Sequence, residues 1–512
     1  MVLAAPPRPW WPLGLIAWVP LALIGARRSE RRAASLGWLQ GTLAQGIALA
    51  SVSRALHDTA GASVGVALVG TLVLASYEGA RFGLLALIVV RARRNGWPLL
   101  VSFPVVLALS EWAYPMFFPW STALFFQEVP VLVQAADLAG TMAISSWAGL
   151  MAASLAEAWV RRADRRALLG YAVAVPASTL SAVILYGVAA MRHEDARVAA
   201  APEVRIGIVQ GDRTEPRADP VQSVLDYRTA SLDLLQKEKV DLLIWPETAI
   251  EQPVEAEHLS RFLADHVFSD VTQPVPARLH VPLLAGIVLD RAGTNAGGAA
   301  SSQHRRYNSA FLATPDGHVR GSYDKRSLVM FGEALPAAAA PPWLRQLLPS
   351  VGAYSAGTAP AVLSLADRRI LPLICFEDTL AELVRQDVQK LNPDLLVNLT
   401  SDAWFGPSRI QDLHYALSKL RAVEHRRFLI HATTTGVTGV IDPTGRVVAE
   451  LPVHQPASGA ASIRWLRGDT TYEKYSGILR ALVVVAAAVV GVTRRRARCL
   501  PRSSGPDRDP AR

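Results

Sequence analysis

The chain holds only two cysteines in 512 residues, Cys375 and Cys499. Two thiols so far apart provide no disulfide framework. Also missing are zinc-ligand spacing, a glycine loop able to cradle phosphate and an RNA-binding signature, which sets aside the commonest metal, nucleotide and nucleic-acid chemistries. Acid is in shorter supply than base, 43 against 52, for a net charge of +9. A basic surplus fits nucleic acid or an anionic membrane surface. Here the arginines stand beside apolar segments, so membrane topology accounts for them and nucleic acid does not. Cys499 lies in a basic tail and receives no role.

What is abundant is apolar surface, with 51% hydrophobic residues and a mean hydropathy of +0.23. It is concentrated in the first 190 positions and near the C-terminus. A membrane-spanning helix needs about 20 mostly apolar residues. Candidate segments are 11–26, 34–54, 62–91, 97–118, 125–158, 167–191 and 476–493. Arginines follow alternate segments: Arg27, Arg28, Arg31 and Arg32; Arg91, Arg93 and Arg94; Arg161, Arg162, Arg165 and Arg166; Arg494, Arg495, Arg496 and Arg498. Positive loops favour the cytoplasm. The alternation implies seven crossings, an outside N-terminus and an extracytoplasmic middle region. The expected domains are about six transmembrane helices over 1–195, a catalytic domain over 203–468, a C-terminal transmembrane helix over 476–493 and a basic cytoplasmic tail over 494–512. The first segment carries its charges after the apolar run, which fits a retained anchor better than a cleaved signal peptide. Glu111 and the pair Gln134 and Asp137 interrupt the apolar region. Such groups face a cavity or partner, or sit at the interface.

The middle region alternates strands and helices. Apolar runs at 204–210, 241–247, 282–289, 309–313, 370–375, 395–399, 428–433 and 439–441 read as strands. Helical stretches intervene near 221–237, 256–267, 378–389 and 410–426. The pattern predicts a layered α/β or αββα sheet protein. Glu247, Cys375 and Asn398 fall at strand ends, where open α/β sheets gather their sites. A cysteine nucleophile must lose its proton. A carboxylate can accept that proton, and a lysine ammonium can stabilise a thiolate and an oxyanion. Glu, Lys and Cys therefore suffice for thioester chemistry.

Trp245-Pro-Glu247, Tyr323-Asp-Lys325 with Phe331-Gly-Glu333, and Ile374-Cys-Phe-Glu377 resemble, in order, the three catalytic motifs of the nitrilase (carbon–nitrogen hydrolase) superfamily. Ser401-Asp-Ala-Trp-Phe-Gly406 and Thr435–Gly445 resemble its later blocks. With membrane segments on both sides, and with Phe118-Pro119-Trp120, Gln134-Ala-Ala-Asp137 and Gly211-Asp212, the chain is similar to the apolipoprotein N-acyltransferase family from about residue 11 onward. The resemblance implies a transmembrane bundle carrying an α/β nitrilase-like αββα sandwich. It implies Glu247 as general base, Lys325 as oxyanion partner and Cys375 as nucleophile. Glu333 and Glu377 would support them. Phe376, Trp404 and Asn308 would stand at the pocket. It further implies transfer of an acyl chain from a membrane phospholipid, through a Cys375 thioester, to the N-terminal amine of a diacylglyceryl-modified apolipoprotein. The enzyme would be a monomer in a bacterial inner membrane, its catalytic domain outside the cytoplasm, needing neither cofactor nor metal. An apolar stretch, Ala334–Leu348, would lie on the membrane and gate acyl chains or pack against the domain.

The family usually has one more membrane helix at its start, Tyr where Phe376 stands, Asn for Ser401, Arg for His431, Asn for Thr434 and Pro for Met330. Two other readings use the same residues. A membrane-bound nitrilase-type amidase would release its acyl group to water, and acyl labelling of Cys375 from phospholipid separates it from a transferase. A non-catalytic nitrilase-like scaffold would retain its activity in Cys375→Ala.

Overall fold

Apolar runs interrupted by glycine, proline and single polar residues give helices of uneven length at the N-terminal end. The computed structural model describes residues 3–7, 10–212, 220–268, 279–294, 300–335, 341–348, 351 and 354–493. The tail expected over 494–512 and the middle of the apolar stretch expected over 334–348 lie outside the described residues. The helices are α1 (Val19–Arg27), α2 (Glu30–Ala48), α3 (Val52–Asp58), α4 (Val64–Arg94), α5 (Leu99–Ala113), α6 (Pro130–Val133), α7 (Ala136–Ala139), α8 (Thr141–Val160), α9 (Arg165–Leu169) and α10 (Val175–Ala200). Helices α2 and α4 touch backbone to backbone: a methyl on Gly41 would stand 2.7 Å from the Gly79 carbonyl oxygen. Small residues permit this approach where lipid offers no hydrophobic drive.

The next region builds two sheets. Strands β1 (Glu203–Gln210), β2 (Leu242–Ile244), β3 (Ile250–Glu255), β4 (Leu283–Thr294), β5 (Ala300–Ala313) and β6 (Val319–Asp324) precede β7 (Leu363–Leu365), β8 (Arg368–Ile374), β9 (Leu395–Thr400), β10 (Leu429–Thr433), β11 (Gly439–Ile441), β12 (Val447–Glu450) and β13 (Ala457–Arg464). One sheet runs β13-β1-β2-β4-β5-β6 with β3 beside β4, the other β12-β11-β10-β9-β8-β7. Their inner faces share one apolar core, from Ile206, Ile208 and Ile244 to Ile370, Val397 and Ile430. Helices α11 (Pro220–Lys237) and α12 (Leu259–His266) cover the first sheet. Helix α13 (Pro342–Leu347) follows the lysine region, and α14 (Ala381–Leu391) and α15 (Arg409–His425) cover the second sheet. This is the expected αββα sandwich. Helix α16 (Thr471–Val492) closes the described chain.

Three described helical runs are long and apolar enough to cross a membrane: α4, the 36-residue run Arg165–Ala200 made of α9 and α10 joined by a π turn, and α16. The segments expected at 11–26 and 97–118 contain shorter apolar helices. The segment expected as one piece over 125–158 is instead bent by 119° between α6–α7 and α8. Gly140, at φ +65°, makes the bend, a conformation that glycine adopts without strain. The polar pair inside that segment explains why it bends. Arg426, at the end of α15, donates to Asp137 Oδ2 at 2.6 Å and to Gln134 Oε1 at 2.6 Å. Tyr186 donates to the other Asp137 oxygen at 2.6 Å. Glu111 likewise has partners, accepting from Thr122 N at 3.0 Å and from Ser145 Oγ at 2.5 Å.

The basic helix ends gather at one end of the bundle. Glu30 pairs with Arg91 and Arg94, and Glu157 with Arg93 and Arg161. Asn95 reaches the Gly491 carbonyl of α16 at 3.0 Å. The two-sheet domain contacts the opposite ends, through residues such as Phe118, Leu132 and Thr141.

Removing one partner of a buried ion pair typically costs about 3–5 kcal/mol. Arg426→Ala should therefore lower the unfolding midpoint in micelles by a loss of that order. Arg426→Lys should restore only part of it, because an ammonium cannot span Asp137 and Gln134 as a planar guanidinium does. Circular dichroism against temperature reads both.

Candidate active site

Glu247 follows β2 in a turn that must lie flat on β4. Trp245 N donates to the Leu284 carbonyl and Gly286 N to the Pro246 carbonyl, at 2.9 and 3.1 Å. Trp245 is buried and its indole N–H donates to Ser231 Oγ at 2.9 Å, which anchors the turn from behind. A methyl on Gly286 would stand 2.5–2.6 Å from the backbone of Pro246, Glu247 and Thr248. The Glu247 carbonyl also accepts from Thr434 Oγ1 at 3.0 Å.

Asn308 on β5 and Lys325 just past β6 come from neighbouring strands, and Lys325 N donates to the Asn308 carbonyl at 2.8 Å. Their side chains meet the acids. Lys325 Nζ lies 2.8 Å from Glu333 Oε2 and 3.4 Å from Glu247 Oε1. Asn308 Nδ2 donates to Glu247 Oε1 at 2.7 Å and to Glu333 Oε1 at 3.2 Å. All four residues are buried. Burial alone would drive the Lys325 ammonium toward neutrality; Glu333 and then Glu247 outweigh it and hold it above its usual range. Burial pushes the Glu247 carboxyl up, Lys325 pulls it down and Glu333 pushes it up again, for a net rise. That rise makes Glu247 a better proton acceptor.

Cys375 stands where β8 ends and a 3₁₀ turn, Cys375–Thr379, begins. Its φ is +52°, a left-handed conformation that costs a non-glycine residue about 1–3 kcal/mol. Glu377 supplies compensation. One oxygen accepts from Tyr323 Oη, Arg326 N and Ser327 N at 2.7, 2.8 and 3.1 Å, and the other from Ile374 N at 2.9 Å. A single carboxylate thereby ties the lysine loop to the cysteine turn. The Cys375 thiol is pushed up to about 12, by burial first and the Glu247 charge second, while Lys325 pulls the other way. Phe376 meets Phe118 of the membrane region edge to face at 6.5 Å. Trp404 lies against Gly332, where a methyl would stand 2.4 Å from its ring.

Relatives share this organisation from end to end. Residues 176–456 match the family profile described as Carbon-nitrogen hydrolase, and residues 1–154 match that of the Apolipoprotein N-acyltransferase N-terminal domain. An apolipoprotein N-acyltransferase of Azotobacter vinelandii is 31% identical over 97% of this chain and 93% of its own. The chain belongs to the apolipoprotein N-acyltransferase family. It is thus a membrane protein and an acyltransferase. Apolipoprotein N-acyltransferases of Geobacter metallireducens and Methylococcus capsulatus are 29% and 28% identical over 94% and 98% of this chain, covering 90% and 96% of theirs. Among solved structures, an amidase of the nitrilase superfamily from Nesterenkonia AN1 is similar over 56% of this chain and 99% of its own, with 20% identity and a TM-score of 0.37.

The structure brings together all eight residues expected at the site and adds others. The Tyr354 hydroxyl is held up at about 12, by burial first and then by the charges of Glu247 and Glu333. No sequence spacing marks it. Asp378, Asp402 and His414 form a buried set behind Cys375. Asp378 directly follows the cysteine motif and Asp402 lies in the Ser401–Gly406 block, but His414, 36 residues past the first and 12 past the second, stands in no motif read from the sequence.

Gly286→Ala should displace the Glu247 turn. Misplacing a reacting group by about 1 Å can cost about 100-fold, so turnover should fall by that order while the sandwich stays folded. Activity and circular dichroism on the same preparation check it.

Proposed function

We propose that Cys375 accepts an acyl chain from a membrane phospholipid and passes it to the N-terminal amine of a diacylglyceryl-modified apolipoprotein. The observation that carries this reading is the end-to-end match to apolipoprotein N-acyltransferases, across both the membrane region and the catalytic domain. Glu247 takes the proton from Sγ as the sulfur attacks the donor's ester carbonyl. The oxyanion forms beside the Lys325 ammonium. The ester C–O bond breaks, and the lysophospholipid alkoxide leaves with the proton from Glu247. In the second half the acceptor amine gives its proton to Glu247 and attacks the thioester. The C–S bond breaks and the sulfur regains that proton. Glu333 shares Lys325 with Glu247, so the ammonium stays charged throughout.

Lipid substrates require the nucleophile to open toward the bilayer. Phe376 touching Phe118 supports this. The gathering of basic helix ends opposite the catalytic domain supports an extracytoplasmic site, because positive charge marks the cytoplasmic side. A bacterial inner membrane is the compartment this implies, and the enzyme acts there as a monomer.

Complementation of a strain lacking lipoprotein N-acylation, with mass spectrometry of a lipoprotein N-terminus, tests the reading. The wild-type chain should restore the N-acyl mass and Cys375→Ala should not; restoration by Cys375→Ala, or none by wild type, overturns it. A second expectation follows from the charges around the thiol. Glu247→Gln removes a negative charge that opposes the thiolate, so alkylation of Cys375 at pH 9 should quicken. Acyl transfer should fall by about 10²–10⁴-fold, the usual contribution of a general base.

A further inference from the structure

Behind the cysteine turn, a buried polar set takes no part in the Glu–Lys cluster. His414 on α15 places Nδ1 2.9 Å from Asp402 Oδ1 and Nε2 2.8 Å from Asp378 Oδ1. An ionised carboxylate only accepts, so both ring nitrogens must donate and the ring carries a proton on each. The three side chains are at most 8% exposed. Nε2 also lies 3.2 Å from the Cys375 carbonyl oxygen, which Asn398 Nδ2 approaches at 3.3 Å. Ser418 donates to the second Asp378 oxygen and sits 2.8 Å from His431 Nδ1, and the His431 ring stands edge-on to His414 at 4.9 Å. Burial alone would discharge His414; Asp378 and then Asp402 outweigh it and hold the ring charged well above its usual range.

Ligand-type atoms of Asp378, His414 and His431 lie within 4.8 Å of one another. Two ligands on a tetrahedral zinc, with bonds of about 2.0–2.1 Å, stand about 3.3 Å apart. The 2.8 Å separation of His414 and Asp378 is that of a hydrogen-bonded ion pair.

We propose that His414 is a positioning residue for Cys375: its fixed imidazolium grips the carbonyl of the strained turn and sets a positive charge behind the sulfur. This rests on the reading of Cys375 as nucleophile and extends it beyond the Glu–Lys–Cys set. The two donors on the Cys375 carbonyl oppose relaxation of its left-handed φ. Around the sulfur, Glu247 and Asp402 disfavour the thiolate, while Lys325 and His414 favour it. Asp378 from the cysteine turn and Asp402 hold the ring between them, and His431 faces it from β10. With the imidazolium the set carries a net charge of about −1; without it the two aspartates would leave about −2 behind the nucleophile.

His414→Gln keeps an amide donor in reach of the carbonyl and removes the charge. The test uses the full chain in micelles, in a Cys499→Ser background, with iodoacetamide as the thiol probe and phosphatidylethanolamine as the acyl donor. Alkylation of Cys375 at pH 9 should slow about tenfold and its profile should move up by about one pH unit, the tenfold equivalent. The rate of acyl-enzyme formation should fall by a similar factor with KM for the donor unchanged. A merely structural histidine would leave the alkylation profile where it is, and that result overturns the proposal. If alkylation shifts but no acyl-enzyme forms even with His414 present, the acyl-transfer reading fails and this one stands. Should the variant fail to fold, a histidine-selective ¹⁵N spectrum of the unsubstituted enzyme at pH 8.5 decides. One doubly protonated ring among the eleven histidines is expected; eleven neutral rings overturn the proposal.

Discussion

Helix α15 has almost no face toward water: from Ile410 to His425 every side chain except Asp412 is buried. On one side it packs with the membrane region, where Leu413, Leu417 and Leu420 meet Leu132, Ile144 and Trp147. On the other, Tyr415 and Ala422 pack with Leu373, Leu396 and Ile441 of the second sheet. Yet the helix carries charged and polar groups all round. Burying an unpaired charge is far costlier than burying an apolar side chain, so each needs a partner. His414 takes Asp378 and Asp402, Lys419 takes Glu128, Arg421 takes Glu424, and His425 takes Glu473. Glu128 belongs to the membrane region and Glu473 to α16. Desolvation therefore compels the bundle and the sandwich to dock as one body.

That docking sets the electrostatics of the site. A lysine and three glutamates lie out of water beside a half-buried cysteine, where charge interactions are strong. Glu333 and Asn308 share the load of Glu247 and Lys325, so no buried charge stands alone. Glu377 makes the lysine loop and the cysteine turn a single object.

The sandwich and the clustering of the Glu247, Lys325 and Cys375 motifs were legible because both leave local marks. Period-two and continuous apolar runs gave most of the strands that form the sandwich. Glu247, Lys325 and Cys375 sit in short motifs whose order survives in sequence. Short edge strands such as β7 and β12, with little apolar pattern, left no such mark. The bend at Gly140 was hidden, because its cause, Arg426, lies almost 290 residues away. The α15 network was hidden for a related reason. A helix with charges all round reads as solvated, and only the folded structure reveals that these buried charges are paired. The departures at His431 and Thr434 gain local sense in the fold, the first in the Asp378 network and the second on the Glu247 backbone.

The two long helices that bracket the sandwich meet it at adjacent places. Helix α10 ends at Ala200 and leads into β1, which pairs antiparallel with β13, and α16 follows β13 by six residues. Their roots are joined directly, with Arg197 donating to the Arg467 carbonyl at 2.7 Å and Arg464 to that of Ala201 at 3.3 Å. The pair acts as a depth gauge. Each residue added to a helix raises its end by about 1.5 Å and turns it by about 100°. An insertion in one rod without its match in the other would shear the β1–β13 ladder before it moved the sandwich. The reach of the sandwich from the membrane region is thus counted in helical residues.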